Sequence, residues 1–176
     1  MERLNVEKIK RRQRVITISL LVIYLLALTW IILFKMALSS YELPYMRNIN
    51  IVPFADLTII NNQIDFDEII LNIIIFIPFG IYLSMLKPNW SFLKKIAPIA
   101  SVSLLFEVFQ FVFAIGASDI TDFIGNTLGG MVGIGVYFIL CKIFKEKQKI
   151  NKVLNVLGII GTVCVIGLLG LLIIVN

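Results

Sequence analysis

The chain has 176 residues, 59% hydrophobic and 15% charged, with a mean hydropathy of +0.96, which excludes an ordinary soluble domain and fits one polytopic membrane unit. Its net charge of +5 does not point to nucleic acid, because the basic residues stand at the ends of apolar runs and not along a polar face. The absence of histidine excludes Ser–His and Cys–His nucleophiles, His-ligated zinc and phosphohistidine chemistry.

Residues 1–14 form a basic N-terminus with Arg3, Lys8, Lys10, Arg11, Arg12 and Arg14. Residues 15–34 then stay apolar for about the 20 residues that a spanning helix needs. The run is too long for a signal-peptide core and has no small-x-small cleavage site before the polar loop, so it reads as an uncleaved signal anchor. The loop 35–68 is long and unusually apolar for an aqueous connection, and loops of that kind are usually functional. Within it, 49–60 is expected to lie on the membrane interface or to re-enter, directly after Arg47.

The second apolar run, 69–86, contains Asn72, Pro78 and Gly80. Pro78 cannot donate to the Ile74 carbonyl, which predicts a kink. The third run, 96–115, carries Pro98, Glu107 and Gln110. Asp119, Asp122 and Asn126 open the fourth, 120–141, followed by Gly125, Gly129, Gly130 and Gly133. The G-x-x-x-G spacing predicts close helix packing, within the chain in preference to a dimer. A basic loop at 144–152 leads to the fifth run, 153–175. Cys141 and Cys164 read as small membrane-buried hydrophobes with no disulfide expected.

Fourteen of the sixteen Lys and Arg residues fall on one side of this alternation, leaving Lys35 and Arg47 on the other. The expected fold is therefore an all-α helical bundle of five transmembrane helices, N-terminus inside and C-terminus outside. Its units are the cytoplasmic arm 1–14, a membrane domain 15–143 with the external loop 35–68, the cytoplasmic loop 144–152 and the final helix 153–176.

The polar residues inside these runs are costly. A carboxylate at the bilayer centre costs about 2.5–3.5 kcal/mol on the mildest scale. Ser103, Glu107 and Gln110 share one helix face, as do Asp119, Asp122 and Asn126, and only Gly116-Ala117-Ser118 separates the two helices. At 1.5 Å per residue Glu107 lies roughly 15 Å, and Asn126 roughly 13 Å, below that turn. Asn72, Glu107, Gln110, Asp119, Asp122 and Asn126 are therefore expected to converge in the outer half of the membrane. Amides alone would clamp helices at lower cost, so the carboxylates point to function. Such a cluster calls for a counter-charge, either the Arg47 guanidinium or a hard cation such as Mg²⁺ or Ca²⁺ held by oxygens. No motif indicates any other cofactor.

Several segments resemble the VanZ-like family. They are Leu33-Phe34-Lys35, Asn50-x-x-Pro53-Phe54, Asn72-x-x-x-Phe76-Ile77-Pro78-Phe79-Gly80, Phe106-Glu107-x-x-Gln110-Phe111, and Asp119-Ile120-Thr121-Asp122 followed by Asn126-Thr127-x-Gly129-Gly130. The set is specific in order and spacing and runs from about residue 20 to 133. The resemblance implies a multi-pass protein of the bacterial cell membrane associated with resistance to glycopeptide and lipoglycopeptide antibiotics, favouring teicoplanin-type drugs. It brings no chemical mechanism with it. A membrane factor acting on a lipid or a lipid-linked cell-wall precursor is the leading expectation, as a monomer or a homo-oligomer. The alternative is a carboxylate- or cation-dependent enzyme that modifies a membrane lipid or lipid phosphate.

Overall fold

Inside a bilayer every backbone polar group must be satisfied within the protein, which leaves helices as the natural state of these apolar runs. The computed structural model describes residues 2–33, 46–54, 59–60, 63–64 and 66–175. Five helices follow in order: α1 (Glu2–Leu33), α2 (Asp67–Leu86), α3 (Phe92–Phe113), α4 (Ile120–Phe144) and α5 (Lys147–Val175). All five are long and apolar enough to cross a membrane. Leu26, Leu71, Phe113, Phe138 and Val163 are among the many large apolar side chains left exposed around them, as a lipid-facing surface requires.

The helices outrun the apolar segments. α1 begins at Glu2 and α5 at Lys147, because the charged flanks are good helix formers and continue the spiral beyond the apolar stretch. α3 starts at Phe92 with Ser91 as its N-cap, the hydroxyl accepting from the Lys94 N–H at 3.4 Å. It ends at Ala114, whose left-handed φ of 55° returns its N–H to the last turn.

Strands add a feature to the helical bundle. β1 (Met46–Asn50) runs parallel to β4 (Ile115–Asp119), with Arg47 opposite Gly116 and Asn50 opposite Asp119. The segment Gly116-Ala117-Ser118, expected as a bare turn, is thus a strand held by a partner about seventy residues away. β2 (Ile59–Ile60) and β3 (Gln63–Ile64) form a two-residue antiparallel pair in the same connection.

α2 lies at the centre of the bundle. Phe76 and Ile99, both fully buried, meet Leu28, Phe79, Phe106 and Ile134 from α1, α2, α3 and α4. A second core at the other end of the bundle joins Leu20, Tyr82, Met85, Tyr137 and Ile150. The Tyr24 hydroxyl donates to the Ile75 carbonyl, next to the carbonyl that Pro78 deprives of its donor. α5 is fastened to α1 by polar side chains: the Thr17 hydroxyl lies 2.9 Å from Asn155 Oδ1, and Asn155 Nδ2 donates to the Gln13 carbonyl at 3.3 Å.

Candidate functional site

The site is built where α3 ends, β4 crosses and α4 begins. Asp119 is the N-cap of α4: its Oδ1 accepts from the Thr121 N–H at 2.7 Å, which satisfies one of the free donors of the first turn. The Asp119 N–H in turn donates to Glu107 Oε2 at 2.8 Å. The Ser118 hydroxyl donates to the Glu107 carbonyl. One carboxylate thus holds the strand-to-helix junction through a backbone donor.

The β1 segment closes on the same junction. Asn50 Nδ2 donates to Asp119 Oδ2 at 3.3 Å, and Asn50 Oδ1 accepts from the Val52 N–H at 3.1 Å. The second bond is an Asx-type turn that bends the chain into Pro53 and Phe54. The Phe54 N–H then donates to Thr121 Oγ1 at 3.0 Å, with Phe54 in a left-handed conformation at φ 63°. A phenylalanine pays steric strain there, so its bond to Thr121 and the turn before it hold an otherwise unfavourable geometry. Asn50 and Phe54 thus meet Asp119 and Thr121 at the start of α4, with Pro53 in the turn between them. Arg47 contributes backbone to β1, and its side chain lies outside the described residues, as does most of 49–60 beyond Phe54.

Deeper in the bundle two amides cross between helices. Asn72 Nδ2 donates to Asp122 Oδ1 at 2.7 Å, linking α2 to α4. Asn126 Nδ2 donates to Ser103 Oγ at 3.1 Å, linking α4 to α3. Gln110 turns away from the other five residues: its Nε2 donates to the Ile32 carbonyl in the last turn of α1 at 3.2 Å, where helical partners run out.

The geometry leaves acceptors without donors. Glu107, Gln110 and Asn126 are 7%, 4% and 1% exposed, and each keeps one side-chain oxygen, Oε1, Oε1 and Oδ1, without a hydrogen-bond partner. The buried Thr127 hydroxyl is in the same condition. Asp119 and Asp122 both act electrostatically on Glu107. Among the described residues no three acidic or thiol side chains gather as a metal-binding group.

The VanZ/LLP1 family model matches residues 21–142, more than half of the chain. The chain belongs to that family. Protein VanZ of Enterococcus faecium is 41% identical to it over 144 residues, covering 80% of this chain and 84% of that one. No solved structure matches. The VanZ/LLP1 interval includes β1, the whole of α2 and α3, β4 and nearly all of α4, hence every residue of the site, and it stops before α5.

The glycines set the distance between the helices that carry this VanZ-family site. A Cβ on Gly129 would meet the Ile73 carbonyl, one on Gly133 the Ile77 carbonyl, and one on Gly80 the Gly130 carbonyl. α4 therefore lies backbone to backbone against α2 along its glycine face, closer than its short connection to α3 suggests. Gly125 sits beside Asn72, where a Cβ would stand 3.4 Å from the Asn72 Cβ. Pro78 lies within α2 on this packed stretch.

Four hydroxyl or amide groups escaped selection from sequence as site or packing groups: Ser118, Thr121, Thr17 and Asn155. The first two are small hydroxyls of a kind common in membrane helices, with no pattern of their own. The capping spacing Asp119-x-x-Asp122 was the available signal for the start of α4.

Proposed function

We propose that this VanZ-family protein is a bacterial cell-membrane protein that lowers the effect of teicoplanin-type glycopeptides, working through the polar site on a lipid or lipid-linked cell-wall precursor. Its N-terminus lies in the cytoplasm, its C-terminus outside, and the site in the outer half of the membrane. The positive-inside distribution of Lys and Arg supports that orientation. Likeness to Protein VanZ of Enterococcus faecium supports the resistance role. The carrying observation is Glu107: one oxygen fixes the Asp119 N–H while the other stays buried with no donor. A lipid-tailed glycopeptide anchors in the outer leaflet, and a protein that engages lipid or precursor there discriminates it from an untailed one.

The test uses a susceptible host expressing the wild type, Glu107→Gln, Asp119→Asn or Asp122→Asn. Growth inhibition by teicoplanin and by a glycopeptide without an acyl tail is measured alongside membrane abundance. Glu107→Gln is expected to abolish protection against the tailed drug at normal abundance. Full protection by all three variants would overturn the reading. Lipid and precursor profiles of the same strains separate a binding factor from an enzyme: a new lipid or precursor species that vanishes with Glu107→Gln marks catalysis, and divalent-cation dependence would then assign Mg²⁺ or Ca²⁺ a part.

A further inference from the structure

We infer that the group received by this site is a primary ammonium, docked on the unpartnered oxygen of Glu107. The inference rests on the reading of the site as one that engages a lipid or a lipid-linked precursor, and it names the chemistry that is recognised.

The unpartnered atoms decide the chemistry. Glu107 Oε1, Gln110 Oε1 and Asn126 Oδ1 are all acceptors, on side chains more than nine-tenths buried. Each amide nitrogen has one partner, Gln110 Nε2 the Ile32 carbonyl and Asn126 Nδ2 the Ser103 hydroxyl. Gln110 and Glu107 are one turn apart on one face of α3, and Ser103, which holds Asn126, is one turn further along it. Two unpartnered acceptors, Glu107 Oε1 and Asn126 Oδ1, therefore belong to the packed pair α3 and α4, while the Gln110 amide is held against the end of α1. Asp119 and Asp122 add negative charge beside Glu107.

A ligand matching a carboxylate with a free oxygen and two aspartates beside it has N–H donors and positive charge. A primary ammonium has three N–H donors and no acceptor. A phosphate or carboxylate would face repulsion from Glu107, Asp119 and Asp122. A quaternary ammonium has the charge and no N–H to offer. The segment that closes on Asp119 and Thr121 turns Ile51, Val52 and Phe54 outward, 76%, 59% and 49% exposed, so an apolar body can continue beside the docked amine.

The experiment is lipid retention by the purified full-length protein, read by native mass spectrometry. The protein is equilibrated with equal amounts of phosphatidylethanolamine, phosphatidylcholine and phosphatidylglycerol of one chain composition, with and without soluble ethanolamine. The wild type should retain phosphatidylethanolamine about tenfold over the other two, the preference that one charge-assisted hydrogen bond supplies. Glu107→Gln retains an acceptor for the Asp119 N–H and exchanges the free oxygen for a donor, so it should lose the preference. Displacement by ethanolamine supports the inference with a free amine as the source, and retention in its presence supports it with the lipid as the source. Equal retention of all three lipids by the wild type overturns the inference whether or not any variant folds, and so does an unchanged preference in folded Glu107→Gln. If Glu107→Gln abolishes drug protection while the wild type shows no preference, only the ammonium inference fails. If the preference is present and Glu107→Gln still protects fully, the resistance role of the site fails instead.

Discussion

Gly129→Ala tests whether the α2–α4 seam sets the geometry of the site. The added Cβ would run into the Ile73 carbonyl, a backbone atom fixed in α2 that cannot turn aside as a side chain can. Overpacking of this kind costs about 1–3 kcal/mol. The helix-propensity gain of Gly→Ala, about 1 kcal/mol, offsets part of it. Gly135 on the same helix provides the control, since a Cβ there meets nothing within 4 Å and only the propensity gain remains. Gly125→Ala falls between the two, its new Cβ 3.4 Å from the Asn72 Cβ in ordinary contact. Relative to Gly135→Ala, Gly129→Ala should be less stable by the overpacking cost alone, and its melting temperature lower by roughly 5 °C. The measurement is thermal unfolding of the purified proteins in one detergent at one scan rate. Gly80→Ala, whose Cβ would meet the Gly130 carbonyl from the other side of the seam, should behave like Gly129→Ala. A Gly129→Ala protein that melts at or above Gly135→Ala would refute backbone-to-backbone packing here.

Asn155→Leu removes the buried contacts to Thr17 and the Gln13 carbonyl, and should loosen α5 by about 0.6–1.7 kcal/mol, seen as faster amide exchange at the start of that helix. Thr121→Val leaves the Phe54 N–H without its acceptor and should speed exchange or proteolysis at 50–54 while α4 stays protected. Arg47→Lys keeps the charge and loses the planar fork, so drug protection should fall at unchanged abundance, and full protection would show that Arg47 serves only as a surface charge. Reporter fusions in the stretch 142–152 should report the cytoplasm, and an external signal there would reverse the proposed orientation.

Sequence could reveal the five helices because lipid permits so little else, and their apolar lengths are near the minimum for a span. It could also reveal which faces carry the polar residues, since spacing alone places Glu107 with Ser103 and Asp122 with Asp119 and Asn126. Partner choice was harder. A three-residue link made α3 the expected neighbour of α4, whereas the Asn72–Asp122 bond depends on contact between α2 and α4, which is governed by glycines meeting backbone carbonyls. The β1–β4 pairing joins residues about seventy positions apart, and nothing local in Gly116-Ala117-Ser118 signals a strand. Gln110 shares a face with Glu107 and still reaches α1, because the last turn of α1 offers a carbonyl with no helical donor. Thr17 and Asn155 are single polar residues on helices at opposite ends of the chain, and only their packing makes them a pair.

The choice of residue at 107 separates folding from function. The structural task is to accept one backbone N–H from Asp119, and the side-chain carbonyl of a glutamine does that as well as a carboxylate. Asn72 and Asn126 show that amides already join these helices. An interhelical hydrogen bond in a membrane averages about 0.6 kcal/mol, while a carboxylate deep in the bilayer costs about 2.5–3.5 kcal/mol. The bond to Asp119 alone therefore does not offset the charge, and two neighbouring aspartates raise the cost further. What a carboxylate offers and a glutamine does not is a second strong acceptor, and that is the oxygen left without a donor. The energetic excess at Glu107 thus falls on the atom proposed to meet the ligand. Glu107→Gln should accordingly melt no lower than the wild type and fail to protect, whereas a residue serving the fold would lose stability and protection together.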